Sequence, residues 1–283
     1  MSEKSRFIVS ADWVQKQLGA PEFRIVDASW YLPAQNRNGA LEYSEGHVPG
    51  AVFFDQDAIA DHSTGLPHTI PSPEVFAEAV GKLGISDTDT IVIYDGPGIF
   101  TAPRVWWLFR VMGVSRVFVM DGGIDGWKKD GRPLEIDLPE PATATFTPRF
   151  AAEKVTFLDG MRGIVADGRL QIADARSAGR FAARDPEPRA GVRGGHMPGA
   201  RNIPVTTLSE GGKLKDVETL KAIFADAGID LTKPVVTTCG SGITAAAITL
   251  ALHSVGHEDN SLFDGSWSEW GGRQDTPVET GEA

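Results

Sequence analysis

The feature that most limits what this chain can fold into is an internal repeat. Val26-Asp27-Ala28-Ser29 returns as Ala173-Asp174-Ala175-Arg176. Gly46-His47-Val48-Pro49-Gly50-Ala51 returns as Gly195-His196-Met197-Pro198-Gly199-Ala200. Val119-Met120-Asp121-Gly122-Gly123 with Trp127 returns as Leu262-Phe263-Asp264-Gly265-Ser266 with Trp270. The offsets are 147, 149 and 143 residues, in unchanged order. One such echo arises by chance, but three in order describe two copies of one domain. The expected boundaries are 1–137 and 153–283. Between them, 138–152 is Pro-rich and without periodicity, which suggests an extended linker.

Within each copy, short apolar runs alternate with helical patterns. Ile25-Val26, Thr90-Ile91-Val92-Ile93-Tyr94 and Val117-Phe118-Val119-Met120 have the composition of buried strands. Their second-half counterparts are Ile172-Ala173, Val235-Val236-Thr237-Thr238 and Ser261-Leu262-Phe263. Helices are expected over 73–83, opened by Ser72 as a cap, and over 217–227, ended by Gly228. Strands alternating with helices require a mainly parallel sheet with helices on both faces, so the predicted class is α/β, twice over.

Charge narrows the function. The chain carries a net charge of −11, and no basic stripe is present to neutralise phosphates. Nucleic acid is therefore excluded as a partner, while a small anion in a local basic pocket is not. No metal-ligand cluster and no phosphate-binding loop with its lysine are present, so no metal or other cofactor is expected. The opening segment lacks a signal-peptide core, and no run of about 18 apolar residues suggests a membrane span. With a single cysteine no internal disulfide can form. The expected location is the cytoplasm.

Chemistry concentrates at Cys239-Gly240-Ser241-Gly242-Ile243-Thr244, between a β-branched strand and an Ala-rich helix stopped by Gly256. This turn lies at the carboxyl edge of a parallel sheet, where α/β proteins place ligands. The free N–H groups and positive end of the following helix favour a thiolate over a thiol. Gly240 and Gly242 allow the backbone to curl, so that several N–H groups cradle one sulfur or an anionic persulfide. A lone cysteine beside a strand is more often a small core residue. The other copy decides against that reading: Asp95-Gly96-Pro97-Gly98-Ile99 keeps the loop but has Asp95 where Cys239 stands. One working domain beside one inactive domain is the simplest account.

With those residues in view, the chain resembles the tandem rhodanese-like sulfurtransferases over essentially its full length. Within them its Cys-Gly-Ser-Gly-Ile-Thr loop is similar to the branch that uses 3-mercaptopyruvate. Members that use thiosulfate typically carry basic residues just after the cysteine, where this chain has uncharged Gly240 and Ser241. The resemblance implies that Arg180 and Arg189 hold the donor's carboxylate and keto oxygen, a task suited to the guanidinium fork. It also implies a hydroxyl role for Ser241 and a histidine from the N-terminal domain, for which His47 is the match. The acid expected beside that histidine is missing: the stretch reads Asn36-Arg37-Asn38, leaving only Glu42 and Glu45.

The implied reaction carries sulfur from 3-mercaptopyruvate through a Cys239 persulfide to an acceptor, releasing pyruvate. The acceptor would be a small thiol, a thioredoxin-like dithiol or cyanide. Thiosulfate is the alternative donor, and a persulfide relay without turnover is the alternative role. A cysteine phosphatase is excluded, because the phosphate-binding arginine six residues past the cysteine is replaced by Ala245.

Overall fold

A computed structural model describes residues 4–32 and 35–282. The first half contains β1 (Ile8–Val9), α1 (Ala11–Gln17), β2 (Phe23–Asp27), α2 (Gly39–Glu45), β3 (Ala51–Phe53) and α3 (Pro73–Lys82). It continues with β4 (Thr90–Tyr94), α4 (Ala102–Val111), β5 (Val117–Met120) and α5 (Gly123–Lys129). The second half runs β6 (Val155–Thr156), α6 (Leu158–Asp167), β7 (Gln171–Asp174), α7 (Ala178–Phe181) and β8 (Ala200–Asn202). A hairpin of β9 (Ser209–Glu210) and β10 (Lys213–Leu214) precedes α8 (Val217–Asp226) and β11 (Val235–Thr238). The half closes with α9 (Ala245–Ser254), β12 (Asn260–Phe263) and α10 (Ser266–Trp270).

The two halves build the same sheet. The strand order is β1-β5-β4-β2-β3 in one and β6-β12-β11-β7-β8 in the other, with every neighbouring pair parallel. The cause is visible in β4, where alternate residues serve opposite faces. Ile91 and Ile93 pack with α3 and α4, while Val92 and Tyr94 pack with α1, α2 and α5. In β11, Val235 and Val236 divide in the same way. A strand buried on both faces has to be apolar throughout, which is why these runs show no polar alternation.

The helix starts follow from capping. Ser72 accepts from the Val75 N–H at the head of α3, and Asp216 accepts from Thr219 at the head of α8. Residues 130–151 form no helix, yet they are held along the first half: Ala144 donates to Gly81, Arg149 to Met112 and Ala151 to Val111. Phe146 sits edge-on to Phe76 at 5.5 Å and tilted against Phe109 at 6.1 Å.

One apolar cluster crosses the seam, because α4 and α9 pack together and share it. Among the described residues no helix is long and apolar enough to cross a membrane. The two halves thus meet helix to helix across an apolar join.

Candidate active site

Cys239 follows the last residue of β11 and is buried, 1% exposed. Its sulfur accepts the Gly242 N–H at 3.1 Å. Gly242 reaches that position with φ +83°, and a Cβ there would stand 2.9 Å from the Asp264 carbonyl oxygen. Only glycine fits both requirements. The loop backbone is pinned from below by the start of α10: Ser266 Oγ accepts from Cys239 N, while Trp267 and Ser268 donate to the carbonyls of Cys239 and Gly240.

Above the sulfur lies a cavity of about 260 Å³, with Arg180, Arg189, Gly240 and Ser241 from the second half and Trp30 and Leu32 from the first. Gly240 matters because an ideal Cβ would lie 3.0 Å from Arg180 Nη2, so its absence lets the guanidinium settle over the loop. Arg180 is held by Glu187 through Nε at 3.2 Å and Nη2 at 2.5 Å. Glu187 also accepts from Arg176 at 2.8 Å, and Arg176 is locked to Asp174 at 2.6 Å. Arg189 donates to Ser268 Oγ at 3.4 Å and has no carboxylate within ion-pair distance among the described residues. Burial, and then the neighbouring charge of Arg180, hold the Arg189 guanidinium below its usual value. Two cations facing one cavity make it a receptor for an anion.

Ser241 Oγ lies 3.0 Å from His68 Nδ1, and His68 Nε2 lies 2.8 Å from Asp57 Oδ1. Trp30 Nε1 donates to the other Asp57 oxygen at 2.9 Å, and its ring meets His68 edge-on at 4.8 Å. The hydrogen bond from His68 holds the Asp57 carboxyl below the usual carboxylate range. An ionised Asp57 can only accept, so the assignment that follows puts the imidazole hydrogen on Nε2. Nδ1 is then left to accept from the Ser241 hydroxyl. The segment bearing His68 is fastened across the seam. Arg104, itself 2% exposed, donates to the His68 carbonyl at 2.6 Å and to Asp264 at 2.8 Å, and the Ile70 N–H donates to Asp264 at 2.8 Å.

This corrects one expectation. The imidazole beside Ser241 is His68, not His47. His47 is fully buried, stacked on Tyr43 at 4.0 Å, with Nδ1 2.8 Å from the Tyr43 carbonyl oxygen. His196 repeats this arrangement on Phe181, at 3.8 Å and 2.9 Å. The echoed histidine therefore shapes a turn in both halves. His68 and Asp57 lie between β3 and α3, in a stretch where neither apolar period offers a signal. The hint available in the sequence is that His68, unlike His47, has no histidine echo. Glu42 does not serve as an acid there either, since it pairs with Arg37 and Tyr31. Among the described residues no group of His, Cys, Asp and Glu is placed to hold a metal ion.

The arrangement can bind an anionic donor, attack it with a sulfur nucleophile and move a proton through a hydroxyl–imidazole–carboxylate chain. The rhodanese-like domain family matches residues 10–130 and 158–273. The chain belongs to the rhodanese-like family. It is 44% identical over 277 residues to the 3-mercaptopyruvate sulfurtransferase of Escherichia coli (strain K12), spanning 96% of this chain and 98% of that one. It is 39% identical to the Arabidopsis thaliana protein named thiosulfate/3-mercaptopyruvate sulfurtransferase 1, mitochondrial, over 98% of this chain and 79% of the relative. Among solved structures, that of SseA from Escherichia coli, described as a 3-mercaptopyruvate sulfotransferase, superposes with a TM-score of 0.86 at 41% identity. That superposition covers 92% of this chain and 98% of the other. Like these rhodanese-like relatives, the chain is a sulfurtransferase.

Proposed function

We propose that this sulfurtransferase takes its sulfur from 3-mercaptopyruvate and that Cys239 carries it as a persulfide. The observation that carries the reading is an anion-binding cavity lined by Cys239, Arg180, Arg189 and Ser241, with Ser241 hydrogen-bonded behind the wall to His68 and, through it, to Asp57. Arg180 and Arg189 hold the donor's carboxylate and keto oxygen. The Cys239 thiolate attacks the donor sulfur, the carbon–sulfur bond breaks, and its electron pair leaves as pyruvate enolate. The proton of the donor thiol ends on the enolate carbon, with Ser241 and His68 as its route. Cysteine thiolate and 3-mercaptopyruvate thereby become persulfide and pyruvate with atoms and charge in balance.

An acceptor thiol or cyanide then takes the outer sulfur and frees Cys239. A small thiol and a thioredoxin-like dithiol are both chemically suited to this step. The uncharged pair Gly240 and Ser241 favours 3-mercaptopyruvate over dianionic thiosulfate, which is better met by cations beside the sulfur. Within the chain, 153–283 is the catalytic unit and 1–137 the inactive one, joined by 138–152. A single free cysteine suits a reducing compartment, and we place the protein in the cytoplasm.

The deciding experiment compares pyruvate release from 3-mercaptopyruvate with thiocyanate formation from thiosulfate and cyanide, both on purified protein. Efficient pyruvate release with weak thiosulfate use is expected. The opposite preference would overturn the donor assignment while keeping Cys239, and a persulfide that forms but never turns over with small thiols would make the chain a relay.

A further inference from the structure

We infer that the seam between α4 and α9 holds a second binding site, built for a small organic carboxylate. A cavity of about 210 Å³ lies there, separate from the one over Cys239. Its walls are Trp106, Trp107 and Arg110 of α4, Thr249 and His253 of α9, and Lys154. His253 stands eight residues beyond Ala245, so the cavity is about 12 Å along α9 from the cysteine loop.

The cations in this cavity form no direct ion pair among the described residues. Neither Arg110 nor Lys154 has a carboxylate within ion-pair distance among the described residues. Glu258, whose charge acts on both Arg110 and His253, is paired with Arg6. Lys154 Nζ donates to the Glu258 backbone oxygen at 2.7 Å. Burial holds the Arg110 guanidinium below its usual value against the opposing charge of Glu258, and the guanidinium lies 5.5 Å from the centre of the Phe7 ring. His253 is 8% exposed, and its Nδ1 is buried without a hydrogen-bond partner. Burial pushes its pKa down to about 4, so the ring is neutral and adds a flat apolar edge beside Phe7 and Trp106, at 5.7 and 5.5 Å. Two cations on one side and indole and imidazole rings on the other fit a carboxylate with a compact apolar body. They repel a metal ion.

The test uses the Arg180→Gln/Arg189→Gln protein, in which the substrate cavity has lost its cations, and titrates it with benzoate by calorimetry. Binding with a dissociation constant of about 1 mM is expected, with a matching rise in melting temperature as benzoate is added. Adding Arg110→Gln should weaken that binding about tenfold or more. Lys154→Gln gives the same test if the Arg110 variant fails to fold. Absence of benzoate binding to the starting double variant overturns the inference. So does binding that is unchanged by both the Arg110 and the Lys154 substitutions.

Discussion

The two halves carry the same loop and put it to different uses. At a constant offset of 144 residues, Asp95 stands for Cys239, Gly96 for Gly240, Pro97 for Ser241 and Gly98 for Gly242. In each loop the third residue on turns its N–H toward the first side chain: Gly98 to Asp95 Oδ1 at 2.6 Å, Gly242 to Cys239 Sγ at 3.1 Å. Asp95 goes further, since Oδ2 accepts from Phe100, Thr101 and Ala102 at 2.8, 2.5 and 2.8 Å. A persulfide would give Cys239 the second atom that Asp95 already has. The Asp95 loop is a cradle filled by its own side chain, whereas the Cys239 sulfur fills its loop with a single atom.

What covers each loop differs in the same sense. Ile70 donates to Asp264 across the seam, and Leu214 donates to Asp121 in return, at 2.8 and 3.0 Å. Each half thus sends an arm over the other's loop. Two residues before those contacts stand His68 and Gly212, both in the left-handed region at φ 59° and 74°. His68 brings an imidazole to Ser241, whereas Gly212 presses so close to Pro97 that a Cβ would lie 2.0 Å from its carbonyl oxygen. Tyr31 completes the seal, its hydroxyl lying where a Cβ on Gly96 would stand. On the reading proposed above, activity depends on three local differences, a cysteine, a histidine arm and an unfilled space, set on sheets of the same strand order.

The largest expected effect removes the first difference. Cys239→Ser should lower pyruvate release by at least roughly a thousandfold, with no persulfide in the mass spectrum and a melting temperature close to the parent's. Residual turnover near the parent rate would mean that the nucleophile lies elsewhere. Moving the cysteine sharpens the comparison. Asp95→Cys in a Cys239→Ser background should remain inactive, because Tyr31 and the Gly212 arm fill the space a donor needs. It should also lose about 3 kcal/mol of stability, as four backbone N–H groups forfeit a carboxylate acceptor. Recovery of pyruvate release by this variant would show that the cysteine alone separates the halves.

The arm is tested by His68→Asn. Asparagine tolerates a left-handed backbone, so the fold should be retained while the proton route is cut. A fall in kcat of roughly a hundredfold is expected, with KM for 3-mercaptopyruvate little changed because Arg180 and Arg189 are intact. A change confined to KM would make His68 a wall of the cavity and nothing more.

Much of this was legible in the sequence, and the reasons divide along the same line. The three central strands of each sheet, the helices over 73–83 and 217–227 and the cysteine loop announce themselves because strand burial and turn geometry depend on neighbouring residues, whereas the two- and three-residue edge strands are too short to show a pattern. Three ordered echoes placed Asp95 opposite Cys239 without any structure. His68 and Asp57 did not announce themselves, since they belong to a loop whose partner lies 173 residues away and is reached only by docking the two halves. His47 attracted notice through its Gly-His-Val-Pro-Gly-Ala echo, yet that echo marks a residue needed by the scaffold in both halves. In a duplicated chain the function sits where the copies differ. Glu187, which aims Arg180, was hidden for the same reason as His68: its role exists only once Arg176 is buried beside it.

The smallest expected effect concerns a difference at the strand ends. Asp174 closes β7 and is bound by buried Arg176, whereas its counterpart Asp27 closes β2 with Ser29 in the arginine's place. Without a cation, burial pushes the Asp27 carboxyl up to about 6. Between the ordinary carboxylate range, near 3.9, and that value, the folded chain holds a proton that the unfolded chain has released. Stability must therefore fall as pH rises through this window and level off above about 6, a loss on the order of 3 kcal/mol. Asp27→Asn keeps the acceptor for the Ser29 N–H and removes the charge. Denaturant unfolding should show the variant more stable than the parent by about 3 kcal/mol at pH 7, and nearly equal to it at about pH 4. An equal gain at both pH values would trace the effect to packing instead, and the contrast between Asp27 and Asp174 would no longer be one of charge.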